Sequence, residues 1–339
     1  MKLYSAIDLH SNNHVLTIID EQDQKVFERR LPNTLEATLE ALSPYRNTVC
    51  GIAVESTYNW YWLVDGLMDA GYQIHLVNTA AVQQYAGKKY TDDHHDAFWL
   101  AHLLRLGILP TGYIYPKDRR AVRDLLRKRC KLVRQRTAHT LSAQSLYARL
   151  TGRQASCNVI QRPLAEMVYL PGLTDTNRRL EMQTSLQMLQ ALHHQINVIE
   201  KTVLNQVRLE PMFQGLKQVP GIGDILGLTI MLETGEISRF ANAGHYASYC
   251  RAVKSEKQSN GKKKGEGNRK NGNRYLGWAY VEAANFAVRH CEPAKRFFQR
   301  KLAQRNRALA VKATANKLAK ACFYIMRDQV VFEPRLLFS

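Results

Sequence analysis

None of the six cysteines, Cys50, Cys130, Cys157, Cys250, Cys291 and Cys322, belongs to a CxxC pair, and none has a histidine at metal-ligand spacing. That argues against a zinc site and for reduced, structural thiols of a cytoplasmic protein. Long apolar runs are also missing. Nothing approaches the roughly 20 residues needed to span a bilayer, so no membrane partner is expected. Asp8 and His10 interrupt the only apolar run near the start, so no secretory signal is expected either. Acidic residues are scarce: 29 Asp and Glu stand against 48 Lys and Arg, a net charge of +19. Such a field draws phosphate backbones and should make binding weaken steeply with salt. The 339 residues, 45% hydrophobic, are enough for two or three domains with real cores and too apolar for a disordered tail.

The pattern along the chain alternates at first. Lys2 to Leu9, His14 to Ile19 and Lys25 to Leu31 read as an antiparallel meander turning at Ser11-Asn12-Asn13. Asn33, with Glu36 three residues on, reads as the N-cap of a helix carrying Leu35, Leu39 and Leu42. A fourth strand, Thr48 to Val54, ends at Glu55. An aromatic-rich helix (Tyr58 to Ala70), a fifth strand (Gln73 to Val77) and a helix from Asp93 to Leu106 follow. This order predicts a ribonuclease-H-like α/β domain over residues 1–117.

From Asp118 the chain becomes helical. Arg119, Arg120, Arg123, Arg127, Lys128, Arg129, Lys131, Arg134 and Arg136 crowd a helix to about Leu150, with Leu125, Leu126, Leu132 and Val133 as its apolar side. Met182, Leu186, Leu189, Leu192, Ile196, Ile199 and Val203 then recur at threes and fours, as a coiled-coil seam requires. Residues 118–210 are therefore a helical arm, either a spacer for dimerisation or a hairpin closing on itself. Residues 211–339 form a third, mostly helical unit.

Asp8 near the end of the first strand and Glu55 after the fourth would meet if those strands are neighbours, as in a ribonuclease-H-like sheet. Asp93 and Asp96 share a face of a helix's first turn if Thr91 or Asp92 caps it. Taken alone each is an ordinary cap or solvated acid. As a set they offer hard oxygen ligands suited to Mg²⁺ or Mn²⁺ and to phosphodiester chemistry. In the third unit, Pro220-Gly221-Ile222-Gly223 reads either as a phosphate-binding hairpin, with backbone amides of Gly221 and Gly223 meeting a phosphate, or as a plain interhelical turn. Lys254 to Asn273, with Lys262, Lys263, Lys264, Arg269 and Lys270 and followed by Arg274, reads as a flexible phosphate-binding loop. A serine within it, Ser255 or Ser259, could serve as a nucleophile, and composition does not separate the two.

Ala6-Ile7-Asp8-Leu9-His10, Val54-Glu55-Ser56-Thr57-Tyr58, Thr91-Asp92-Asp93-His94-His95-Asp96-Ala97, Pro220-Gly221-Ile222-Gly223 and Gly272-Asn273-Arg274-Tyr275-Leu276 occur in an order and spacing that resemble one family. It is that of insertion-sequence DEDD transposases, related to the Piv DNA invertase and including bridge-RNA-guided recombinases. The resemblance implies a RuvC-like catalytic domain, a coiled-coil arm and a transposase domain whose loop carries a catalytic serine, here Ser259 with Ser255 in reserve. It implies that the metals held by Asp8, Glu55, Asp93 and Asp96 position a phosphate that Ser259 attacks, the serine loop of one subunit completing the metal site of another. It also implies a phosphoserine-linked strand, donor and target DNA chosen by a structured non-coding guide RNA, a dimer or tetramer, and a prokaryotic, nucleoid-associated location. Two other functions compete: a junction-resolving nuclease using the same carboxylates with water, and a non-catalytic nucleic-acid scaffold.

Overall fold

The computed structural model describes residues 1–82, 92–254, 256–265, 271–304 and 306–338. Thr91, Ser255, Arg269 and Lys270 lie outside the described residues. The chain divides into two units, Met1–Lys117 and Asp118–Ser339, with the helical arm and everything after it in the second.

The first unit is built on strands β1 (Leu3–Leu9), β2 (Asn13–Ile19), β3 (Lys25–Pro32), β4 (Val49–Glu55) and β5 (Ile74–Val77). Their order in the sheet is β3-β2-β1-β4-β5. The first three pair antiparallel, while β4 lies parallel to β1 and β5 parallel to β4. Helices α1 (Leu35–Leu42) and α2 (Tyr61–Asp69) bury their apolar sides with Leu3, Ile7, Leu9, Leu16, Ile18, Ile52 and Val54. Alternate residues of the same strands point the other way, toward α3 (Asp93–Arg105). There the side chains are small: Ala6 and Ala53 on the sheet, Ala97 and Ala101 on the helix, all fully buried. Small facing residues let helix and sheet approach closely, which brings the first turn of α3 to the strand ends.

The expected cap of α1 is corrected. Asn33 uses its side chain on the His10 carbonyl (3.0 Å) and on the ring of His14 (3.1 Å), so Thr34 caps the helix instead. At α3 the cap is Asp92, which accepts from the His95 backbone N–H at 2.8 Å.

The second unit contains α4 (Lys117–Thr151), α5 (Cys157–Ile160), α6 (Ala165–Tyr169), α7 (Thr176–Val207), α8 (Pro211–Lys217), α9 (Asp224–Thr234) and α10 (Ala243–Tyr249). A hairpin of β6 (Lys257–Ser259) and β7 (Lys262–Gly265) follows, then α11 (Arg274–His290), α12 (Glu292–Gln304), α13 (Arg307–Asp328) and α14 (Pro334–Phe338). All seven seam residues of α7 are buried. Met182, Leu186 and Leu189 pack with Ala143, Leu146 and the α5–α6 connector, while Ile199 and Val203 join a core that includes Leu126. Arg129–Glu200 (2.6 Å) and Arg149–Glu181 (3.8 Å) fix α4 and α7 antiparallel. The arm is a hairpin that closes on its own chain. Among the described residues, no helix is long and apolar enough to cross a membrane.

Candidate active site

Sheet register assembles the acidic centre. Asp8 lies opposite Val15 and Val15 opposite Arg30, so one row across the sheet carries Asp8 and Arg30 on the same face. On the other side Ile7 pairs with Val54, which sets Glu55, the last residue of β4, beside Asp8. Asp8 is 4% exposed. It hydrogen-bonds Glu55, whose carboxyl is pushed up to about 8 by burial, then by that bond and by the charges of Asp8 and Asp96. A carboxyl displaced by burial and by neighbouring carboxylates is one that a bound cation would return to its charged form.

His10, two residues beyond Asp8, stands on the same side of the chain. Its Nε2 is 3.3 Å from a carboxylate oxygen of Asp8 and 3.3 Å from one of Asp93. The His10 backbone carbonyl accepts from the side chains of Asn33 and Asn59, at 3.0 and 2.9 Å, so the turn that aims the ring is held from two sides. Ligand atoms of Asp8, His10 and Asp93 all lie within 4.8 Å of one another. Arg30 bonds Asp93 at 2.6 Å and, with His10, holds that carboxyl below its usual range. Asp96, one helical turn on, lines a cavity of about 270 Å³ with Glu55, Thr79, Val82 and Leu100. The four predicted carboxylates thus gather around one spot in the first unit, in two groups that share Asp8. His10 and Arg30 were missed. The Asp8-x-His10 spacing, two residues apart across the end of β1, was the available signal for the first, whereas the second depends on register.

The segment expected to be a flexible loop is, over 257–265, a β-hairpin. Asn260 and Gly261 both have left-handed φ, 49° and 69°, as the two central residues of a type I′ turn require. Ser259 is exposed, directly before the turn and opposite Lys262. By strand alternation Lys264 shares that face. The feet of this segment are tied together: the Asn273 backbone N–H donates to the Tyr249 carbonyl at 2.7 Å, and Arg251 Nε donates to the carbonyls of Asn271 and Gly272, each at 3.1 Å. Arg274 opens α11, exposed.

The arginines of α4 are more engaged than their crowding in the sequence suggests. Arg120 and Arg123 are buried, Arg119 pairs with Glu210 at 2.7 Å, and Arg127 is bidentate to buried Glu233 at 2.6 and 2.7 Å. These contacts tie the four arginines into the second unit, although 39% of the Arg119 side chain and 33% of that of Arg127 stay accessible. Gly221, at φ 90°, packs against α11 so tightly that a Cβ would lie 2.3 Å from the Ala283 carbonyl oxygen. Gly223 caps α9 facing open space. The first glycine is required for packing, and the second leaves open space where a side chain would stand.

Residues 6–149 match the family model described as DEDD transposase of the IS110 type, and residues 214–299 match that of the transposase IS116/IS110/IS902 family. A probable family 20 transposase of Pseudomonas aeruginosa is 25% identical over 297 residues, covering 84% of this chain and 86% of that protein. A protein of Streptomyces coelicolor, described as an IS110 insertion element uncharacterized 43.6 kDa protein, is 27% identical over 150 residues, 44% of this chain and 37% of that one. Both matched segments carry the clusters built above, the acidic centre in one and the clamped hairpin in the other, and with them the chain belongs to the IS110 family of insertion-element transposases.

Proposed function

We propose that the chain cuts and rejoins DNA through Ser259, with Asp8, Glu55, Asp93 and Asp96 on a RuvC-like domain holding Mg²⁺ or Mn²⁺. The observation that carries this reading is the Asp8–Glu55 contact, with Asp96 close enough to help lift Glu55. Mutually repelling carboxylates are costly unless a cation occupies them in the working state. When bound, the metal supplies Lewis-acid stabilisation of charge developing on a phosphodiester. The Ser259 oxygen forms a bond to phosphorus, the P–O bond to one deoxyribose breaks, and the serine proton passes through solvent to the departing oxygen, which leaves as a DNA hydroxyl. A second DNA hydroxyl later displaces the serine and restores its proton. Lys262, opposite Ser259, and Lys264 on the same face favour the deprotonated oxygen and the developing phosphorane charge.

Partner choice follows the same logic. No separate base-reading module is recognisable in the sequence, and the net charge of +19 favours backbone contacts, which fits delegation of sequence choice to a structured guide RNA. The arm, residues 118–210, exposes Leu164, Met167 and Val168 at the closed end of its hairpin, which fits assembly of two or four copies. The deciding experiment is trapping with a suicide DNA substrate. Wild type should become covalently attached and Ser259→Ala should not. Hydrolysis with no adduct would favour a nuclease using water, and full activity of Asp96→Asn would favour a scaffold. Purified protein should also retain one discrete RNA; recombination that persists after nuclease treatment would remove the guide.

A further inference from the structure

The second unit contains a cleft of about 770 Å³, formed where the feet of the Ser259 hairpin meet α11 and α13 and unused by the chemistry above. That volume lies within the roughly 300–1,000 Å³ typical of ligand sites. Its lining comes from the residues just after α10, from α11 and from the first half of α13. The composition is divided. Gly277, Val311 and Ala315 give an apolar floor with exposed Val281 and Ala308 at its mouth, while Arg251, Arg274, Arg307 and Lys312 supply four cations, and no acidic side chain lines it among the described residues. Four like charges around an apolar slot are a self-repelling arrangement that an anion with a flat apolar body would relieve.

Individual residues sharpen the match. Arg251 sits at φ 55°, in the left-handed region that a β-carbon disfavours, with its guanidinium held by the Asn271 and Gly272 carbonyls. A strained backbone that fixes a cation at a cleft is a common mark of ligand binding. The Tyr280 hydroxyl is already taken by Tyr246 at 2.8 Å, so the polar edge is left to Asn285, whose side chain has no hydrogen-bond partner among the described residues. An amide free to pair with a ring edge, apolar surface to meet the ring and cations for a phosphate together describe one ligand class.

We infer that this cleft binds a nucleoside phosphate with its base unstacked, as an unpaired nucleotide of a strand or as a free nucleotide. The inference rests on the reading of the chain as a nucleic-acid enzyme but uses no step of the serine mechanism. The test is photolabelling of the full-length protein with a decathymidylate carrying one 4-thiothymidine, and separately with 4-thiothymidine 5′-monophosphate, followed by peptide mapping. Label should appear within residues 274–285 or 307–315. Labelling by the strand identifies an unpaired nucleotide, and labelling by the monophosphate alone identifies a free one. Arg307→Glu and Lys312→Glu, both on solvent-accessible positions of α13, should each reduce that label severalfold and make the salt slope of binding shallower by about one. Ala308→Trp, an exposed position at the mouth, should block the slot without disturbing the core. No label at these peptides, equal label from the strand annealed to its complement, or label unchanged in all three variants would overturn the inference. A positive suicide-substrate trap alongside that negative result would remove the cleft and leave the serine reading standing.

Discussion

The two glycines of the Pro220–Gly223 turn look alike in sequence and differ in what they do. Gly221 has both a positive φ and a neighbouring backbone within reach of any Cβ, so Gly221→Ala should lower stability by about 2 kcal/mol or more. Gly223 is an N-cap at φ −89° in open space, and Gly223→Ser should be neutral or stabilising by a few tenths of a kcal/mol, roughly. Thermal unfolding of the two variants side by side checks both. Asp23 is a second residue with a calculable role. Burial alone would raise its carboxyl, but bonds from Arg105 (2.6 Å) and His102 (2.9 Å) outweigh that and hold it low. A lowered carboxyl contributes stability that is present above its unfolded pKa of about 3.9 and is lost as pH falls through the folded value. Asp23→Asn tolerates the residue's φ of 62°, so wild type should be the more stable from neutral pH down to about pH 4, with the gap closing below that.

At the scale of elements, the strand order of the first unit was legible because short alternating strands and amphipathic helices bury one face each. What was not legible depended on partners far away in sequence. Asn33 looked like a cap until His10 and His14 claimed its side chain. Arg119 and Arg127 give no sign in the sequence of their carboxylates, Glu210 and Glu233, which come roughly 90 and 106 residues later. Arg30 joins the acidic centre only through β2–β3 register. The hairpin at Ser259 is a different kind of miss, since Asn260-Gly261 is a strong local signal for a two-residue turn and was masked by the surrounding lysines. Element packing also predicts a cost. Ala53→Leu would force α3 away from the sheet, lowering stability by about 1–3 kcal/mol and separating Asp96 from Glu55. Unfolding and strand cleavage measured together should both decline; cleavage that survives a clear loss of stability would show that the close approach of α3 is not needed for the site.

Across the whole molecule, an acidic pocket in one unit and a cationic surface in the other impose opposite demands on ions. Folded protein that binds a divalent cation is stabilised by mass action, so Mg²⁺ should raise the melting temperature and a chelator should return it. Glu55→Gln retains the shape and the shared hydrogen bond with Asp8 while removing a group that is raised to about 8, so its chelated form should melt near wild type. Its response to Mg²⁺ should be much reduced. A full Mg²⁺ response in Glu55→Gln would place the ion elsewhere.

The two-residue turn beside Ser259 acts as a ruler. Because strand side chains alternate, adding or deleting a single position at Asn260-Gly261 would slip one strand against the other and part the hydroxyl from its facing Lys262, with composition and charge almost unchanged. Length there is consequently as constrained as identity, and natural variation in this stretch should keep its count fixed even where its letters drift.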